Sequence, residues 1–252
     1  MGFDVSFHPI NENEIREWYF DAMSDDKKID VLAREHDIDD FYREKYREVI
    51  RSGREIDASE VFDVTHSFRV AVVQGFFRTY FYTRGSAFTF LIEQKPEYKK
   101  YLKPWKDILG REPGMRVHDQ IIENYCGGVY IPPEQVAPLI EDYEKDETLK
   151  AALDGVFSEG NIAVFLKALN FAKDGGFGIL EATEVVEPNP LDLNASVSYS
   201  NLYHCDTEGP LLYSEIAARQ IAEAIEMSKA GQANGESEDK PKKGFFSRLF
   251  GK

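Results

Sequence analysis

One histidine of the chain has neighbours that can support acid–base chemistry. Asp63 lies three residues before His66, Arg69 lies three residues after it, and Thr65 and Ser67 flank it. Histidine titrates near neutral pH, and a carboxylate can fix which ring nitrogen carries the proton. Residues three apart share a helix face, so Asp63 can orient His66 as a general base while the hydroxyls point elsewhere. The spacing predicts this site or, as the alternative, a polar patch on a half-buried helix.

A second group of side chains has the chemistry of metal ligands. His204 and Cys205 are adjacent and precede Asp206, and His118 and Cys126 lie farther back in the chain. No two of them have the short, fixed spacing of a zinc site, and neighbours on a strand point to opposite faces. We therefore expect no metal and no cofactor. His204 stays a candidate for acid–base chemistry in a polar cleft.

The common catalytic signatures are absent from the sequence. The glycine-rich segment 175–178 does not have the order of a phosphate-binding loop, and no Lys-Ser or Lys-Thr follows it. The chain also lacks a Gly-x-Ser-x-Gly elbow, a His-Glu-x-x-His helix and a dinucleotide fingerprint. These absences favour a noncatalytic protein over an enzyme.

The last residues of the chain combine basic and large apolar side chains. They are Lys242, Lys243, Phe245, Phe246, Arg248, Leu249 and Phe250. On a helix, this spacing places the four apolar groups on one face. Such a peptide can lie on an anionic membrane surface or dock in the groove of a partner protein. The alternative is a frayed end that only adds solubility.

Local patterns predict where the chain begins to fold. Phe3, Val5 and Phe7 alternate with polar residues, which is typical of a strand with one buried face. Asn11, followed three residues later by Glu14, forms a capping-box sequence and predicts a helix start. A strand and a helix are therefore expected within the first two dozen residues.

The most apolar segment is predicted to lie at the centre of the molecule. Residues 58–83 carry apolar side chains on two helical faces, which predicts a buried central helix with His66 in its first half. Two strands are predicted later, over residues 178–186 and 195–205. The second strand is expected to have one buried and one wet face. Its predicted buried side consists of Val197, Tyr199 and Tyr203.

Further helices are predicted over residues 38–51, 117–125, 162–172 and 211–227, and Phe41 lies on the predicted buried stripe of the first. Together the patterns predict an α+β fold that is predominantly helical, with the helices packed on a small, mainly antiparallel sheet.

Composition divides the chain into a body and a tail. Residues 1–228 are predicted to form a single globular domain, and residues 229–252 a flexible linker followed by the basic amphipathic tail. The formal net charge of −15 disfavours nucleic-acid binding, because an acidic surface repels phosphates. The alternatives are a basic protein partner or simple solubility.

Cysteine usage and hydropathy indicate where the protein acts. The chain has only two cysteines, and its first residues lack the basic and apolar regions of a signal peptide. Its apolar runs are far shorter than the ~20 residues needed to cross a bilayer. We therefore expect a cytoplasmic protein, with peripheral attachment at the inner membrane face if the tail binds lipid.

The first twenty residues, from Met1 to Phe20, resemble the start of uncharacterised bacterial cytosolic proteins. That resemblance transfers no catalytic residue. In its acidity and lack of motifs the chain also resembles bacterial immunity proteins, which neutralise toxins by binding. The resemblance implies a noncatalytic module that neutralises a basic partner through an acidic surface, with aromatic anchors. Two alternatives stay open: an enzyme that uses His66 or His204, and a peripheral membrane adaptor that acts through the tail.

Overall fold

A small sheet lies between two groups of helices. The computed structural model describes residues 3–233, with side chains as far as Lys229, and the predicted basic tail lies outside these residues. The described strands are β1 (Asp4–Ile10), β2 (Phe81–Arg84), β3 (Gly127–Ile131), β4 (Gly178–Thr183), β5 (Val186–Glu187) and β6 (Val197–Ser198). Four of them form an antiparallel sheet in the order β2-β1-β4-β3, and β5 pairs with β6 in a separate ribbon.

Helices make up most of the rest of the described residues, so the predicted α+β, mainly helical fold is confirmed. The described α-helices are α1 (Glu12–Glu14), α2 (Ala22–Ser24), α3 (Lys27–Glu35), α4 (Asp40–Arg54), α5 (Phe68–Phe77), α6 (Phe88–Gln94), α7 (Trp105–Leu109), α8 (Pro133–Lys145), α9 (Glu147–Val156), α10 (Asn161–Gly175) and α11 (Glu208–Ala233). π-Helical turns span Ile15–Asp21 and Asp63–Ser67, and 3-10 turns span Pro96–Tyr101, Leu193–Ala195 and Leu202–His204. No described helix has the length and apolar character needed to span a membrane.

The capping box is present as predicted. The Asn11 side chain accepts the backbone N–H of Glu14, and the Glu14 carboxylate accepts the backbone N–H of Asn11, both at 3.0 Å. Each of these two bonds satisfies a backbone donor that a helix start would otherwise leave unpaired. The chain therefore turns sharply from β1 into its first helical segment.

The prediction of one buried face for β1 is wrong, because the strand lies inside the sheet and both its faces are covered. Val5 and Phe7 pack in the core cluster that α6 and α8–α10 form on one face. Ser6 and His8, on the other face beneath α5, are also fully buried, at 0% exposure. Buried polar groups need hydrogen-bond partners, and the contacts described below supply them.

The predicted helix over residues 58–83 is shorter in the structure. It consists of the π-helical turn and α5, and it ends at Phe77 because Arg78 is extended. Phe81 then pairs with Phe7 of β1 instead of continuing the helix. Strand pairing with β1 thus overrides the helical pattern, although most of the apolar residues between Val61 and Phe81 are buried as predicted.

The predicted strand over residues 195–205 is mostly absent, and only Val197–Ser198 pairs as β6. We call residues 197–205 the strap, because this segment runs along α5. The side chain of Ser200 donates to the Val72 carbonyl of α5 at 2.7 Å, so the polar side of the strap faces inward. The side predicted to be buried faces outward: the exposed fractions are 64% for Val197, 52% for Tyr199 and 89% for Tyr203.

Three smaller predictions also differ from the structure. Residues 117–125 form no helix, since backbone N–H groups there bond to side chains of other segments. Phe41 of α4 is 64% exposed rather than buried. Helix α11 continues to Ala233, beyond residue 227, where the predicted last helix ends.

Candidate functional site

Asp63 and His66, the predicted acid–base pair, form hydrogen bonds to different partners in the structure. The Asp63 carboxylate accepts the backbone N–H groups of His118 at 2.8 Å and Asp119 at 3.0 Å. His66 Nδ1 instead lies 2.8 Å from the Tyr19 hydroxyl. No hydrogen bond joins Asp63 to His66 among the described residues. Asp63 therefore anchors a loop and does not orient the imidazole.

Burial shifts the pKa values of both Asp63 and His66. Burial raises the pKa of Asp63 to about 6, and burial together with the nearby Arg69 lowers the pKa of His66 to about 4. Arg69 itself donates to the Ser52 hydroxyl at 2.9 Å and to the Thr65 carbonyl at 3.1 Å. His66 is thus a neutral, weakly basic imidazole at pH 7, and Arg69 is held in place by neighbouring groups.

His204, the other predicted acid–base residue, lies elsewhere. Its Nδ1 is 2.9 Å from the Gly75 carbonyl oxygen near the end of α5. Gly75 is nine residues after His66, which corresponds to roughly 13 Å along a helix at ~1.5 Å per residue. The two histidines therefore do not converge on one cleft. Among residues 3–233, no group of three or more His, Cys, Asp or Glu side chains could hold a metal ion.

A buried polar network that the sequence patterns did not predict involves His8. Its Nδ1 lies 2.7 Å from Gln74 Oε1, and its Nε2 lies 2.8 Å from the Ser6 hydroxyl. Because Gln74 Oε1 only accepts, His8 Nδ1 carries the proton and Nε2 accepts from Ser6. Burial lowers the pKa of His8 to about 4. This network resembles a catalytic triad in connectivity, but it is sealed from solvent and contains no carboxylate, so it serves to fix α5 on β1.

The second feature that sequence patterns missed is a surface group of three rings, Phe68, Tyr125 and Tyr199, which we call the aromatic trio. The ring centroids are 6.0 Å apart for Phe68–Tyr125, 5.9 Å for Phe68–Tyr199 and 5.7 Å for Tyr125–Tyr199. The interplanar angles are 90°, 76° and 87° in the same order. Tyr125 and Tyr199 are 42% and 52% exposed, so the trio presents large aromatic surfaces to the solvent.

Two carboxylates border the trio. The Tyr125 hydroxyl lies 3.4 Å from Glu187 Oε1, and this negative charge is the main reason that the pKa of Tyr125 is raised to about 12. Glu184 is also close, and burial, followed by the charges of Asp4 and Glu187, raises the pKa of Glu184 to about 7. Among the described residues, neither Glu184 nor Glu187 forms an ion pair. We call the aromatic trio with these two glutamates the acidic-aromatic site.

The backbone at this site is held in an uncommon conformation. Tyr125 has φ 58° and Glu184 has φ 59°, both in the left-handed region that non-glycine residues seldom adopt. Their neighbours fix them: Thr183 donates its N–H to the Cys126 carbonyl at 2.8 Å, and Cys126 donates its N–H to the Thr183 hydroxyl at 3.0 Å. Strained residues of this kind often accompany functional surfaces.

Local sequence gives only a weak signal for this site. Tyr125 stands just before Gly127, the first residue of β3, and Tyr199 stands between Ser198 and Ser200. Both serine hydroxyls bond to buried carbonyls, at 3.0 Å to Val185 and 2.7 Å to Val72, and these bonds direct Tyr199 outward. The predicted partner-binding or membrane-binding residues between Lys242 and Phe250 lie outside the described residues.

Neither a protein-family model, nor a curated protein, nor a solved structure matches the chain.

Proposed function

We propose that this protein is a noncatalytic, immunity-like module that binds a basic protein partner, and that the acidic-aromatic site is the centre of the binding face. The observation that carries the proposal is the exposure of Tyr125 and Tyr199 beside the carboxylate of Glu187, which forms no ion pair among the described residues. Tyrosine is enriched among the residues that dominate binding energy at protein interfaces. Exposed tyrosines next to an unneutralised carboxylate fit a partner of opposite charge.

The net charge of the whole chain also supports a basic protein partner. A formal net charge of −15 attracts a basic partner over long range and raises its association rate. Local contacts must then supply specificity, because charge alone attracts every basic protein. The rigid rings of the aromatic trio can supply it at low entropic cost, since tyrosine and phenylalanine have few rotatable bonds.

The catalytic alternative has less support. His66 contacts Tyr19, and His204 contacts a backbone carbonyl of α5. A general base needs a second reacting group within hydrogen-bond reach of a common position. These two histidines are too far apart to share one.

Affinity capture from the native lysate tests the proposal. The full chain, a Tyr125→Ser/Tyr199→Ser double variant and a Tyr203→Ser control are compared at equal concentration. Tyr203 is the matched control, because it is an 89% exposed tyrosine on the strap but outside the aromatic trio. We expect a basic protein that the full chain and the control retain, that the double variant loses, and that high salt elutes. Equal recovery by all three proteins would overturn the proposal.

A further inference from the structure

We propose that the acidic-aromatic site is a subsite for one arginine side chain of the partner. This inference rests on the proposed function and adds the chemistry that the partner must present. The inference is based on the geometry of the three rings, which suits a planar group, and on the local negative charge, which favours a cation.

The rings of the aromatic trio have a spacing that suits a cation. Because the three ring centroids are only about 6 Å apart, one cation can lie within the ~6 Å range of cation–π attraction of more than one ring. The measured separations of 5.7 to 6.0 Å and angles of 76° to 90° fit this arrangement. Both tyrosine rings are open to solvent, so a side chain from another protein can approach them.

Local charge at the site is unbalanced. Glu184 and Glu187 lie beside the aromatic trio, and Asp4 and Arg84 lie next to Glu184. Arg84 is already engaged, because it forms an ion pair with Asp4 at 2.6 Å and lies 5.1 Å from the Tyr213 ring. A cation at Glu187 would neutralise a carboxylate that forms no ion pair among the described residues, which supports a positively charged ligand.

Arginine fits better than lysine for a geometric reason. A guanidinium is planar, stacks on aromatic rings and binds carboxylates through two parallel N–H groups, whereas an ammonium is a compact and strongly hydrated charge. The site offers both an aromatic surface and a carboxylate at the Tyr125 hydroxyl. The held backbone of Tyr125 also means that little ordering is needed on binding.

Titration of the isotope-labelled full chain with a hexa-arginine peptide tests the subsite by NMR, with hexa-citrulline as the neutral isostere. We expect saturable shifts centred on the amides of Tyr125, Glu187 and Tyr199, and much weaker binding of hexa-citrulline. Tyr199→Ala should weaken hexa-arginine binding about 3- to 30-fold, the range expected for loss of a cation–π contact. Glu187→Gln should weaken it about 2- to 5-fold through loss of a solvent-accessible ion pair.

Matched controls separate this site from general acidity. Tyr203→Ala and Glu97→Gln alter exposed residues outside the site and should leave the affinity unchanged. Shifts spread over the whole acidic surface, or equal weakening by site and control variants, would overturn the subsite. If deleting residues 240–252 produces the same shifts without peptide, the chain's own tail is the occupant and the assignment to a partner is wrong.

The two proposals can fail separately. Partner capture that depends on Tyr125 and Tyr199, without localised hexa-arginine binding, would retain the proposed function and reject the arginine subsite. Capture that is insensitive to the double variant would reject the proposed function itself.

Discussion

Glu181 of β4 caps the first turn of α6 from a distance, because its carboxylate accepts the backbone N–H of Thr89 at 3.3 Å. The Thr89 hydroxyl and the Phe88 N–H donate to the same carboxylate. Ala87, at the N-cap position, has no side-chain acceptor. Glu181, more than ninety residues away, instead accepts the backbone N–H groups that an N-cap side chain usually accepts. Glu181 is fully buried, and burial raises its pKa to about 7.

This contact predicts a pH-dependent effect of Glu181→Gln. The native carboxyl keeps its proton to a higher pH than the unfolded one, so its contribution to stability is full below about pH 4.5 and is lost as the pH rises through about 7. The side chain introduced by Glu181→Gln does not ionise, so the variant does not lose stability in this way as the pH rises. From pH 5 to pH 8, the difference in unfolding free energy should therefore move in favour of the variant by on the order of 2 to 3 kcal/mol.

Urea denaturation of both proteins at the two pH values measures this difference, with the exposed Glu97→Gln as control. A wild-type-minus-variant difference that is the same at pH 5 and pH 8 would contradict the assigned ionisation of Glu181.

His8 should show the opposite dependence. Its native pKa is lowered to about 4, so the stability that its neutral ring contributes is full above about pH 6.5 and is lost as the pH falls through about 4. The cost of His8→Phe should therefore be larger at pH 7.5 than at pH 4.5, by on the order of 2 to 3 kcal/mol. Denaturation midpoints at the two pH values test this, and His118→Gln, on an exposed ring, is the control. A cost that does not vary with pH would show that His8 is not buried as a neutral group.

Two buried serines should respond in opposite directions to alanine. Ser67 Oγ is buried and has no hydrogen-bond partner among the described residues, so Ser67→Ala should raise the unfolding free energy by about 1 kcal/mol. Ser200 donates to the Val72 carbonyl at 2.7 Å, so Ser200→Ala should lower it by about 1 kcal/mol. Chemical denaturation at neutral pH distinguishes them, and equal losses in both variants would contradict the prediction for Ser67.

The contact between α5 and the strap can be tested at a glycine. A Cβ at Gly75 would lie 2.4 Å from Ser200 Oγ, so Gly75→Ala should displace the strap and lower stability by about 1 to 3 kcal/mol. Chymotrypsin should then cleave more rapidly at Tyr199 and Tyr203. In the control Gly155→Ala, the added Cβ meets no described atom within 4 Å, and α9 should gain about 0.5 to 1 kcal/mol. Unchanged cleavage of the Gly75 variant would mean that the strap is not held by this contact.

The basic tail was predicted from sequence and lies outside the described residues. Deleting residues 240–252 should leave the melting temperature nearly unchanged and should reduce cosedimentation with anionic vesicles or with the partner. A Phe246→Ser/Phe250→Ser variant keeps the charge and removes half of the apolar residues, so it separates hydrophobic from electrostatic attachment. Unchanged sedimentation of both variants with anionic vesicles would reject the membrane form of this prediction.

Sequence predicted best those features that depend on neighbouring residues. The Asn11–Glu14 capping box follows from interactions within one turn, and it is confirmed. The fold class was also predicted correctly, because it depends on the number and type of helices and strands rather than on which of them pack together. Local patterns therefore identified most helices and strands, but they did not identify the segments that pack against them.

Long-range partners explain what the sequence did not reveal. Ser6 and His8 look like a wet face until Gln74, far along the chain, is placed above them. Tyr199 looks like a core residue, but the hydroxyls of Ser198 and Ser200 bond to carbonyls beneath the strap and turn the ring outward. In both cases hydrogen bonds to another segment of the chain reverse what the alternation predicts.

The pairing of β1 with β4 has a consequence for how the protein is made. Val5 lies opposite Thr183 and Ile10 lies opposite Gly178, so β1, the first of the four sheet strands along the chain, has to wait for β4, the last of them. Until β4 has been made, the edge of β1 that pairs with it is open, although β2 can pair with the other edge earlier. Open strand edges associate with other chains, and contacts distant in sequence slow folding. The sheet is therefore completed only late in synthesis, and chaperone binding to the β1 segment should raise the yield of folded protein.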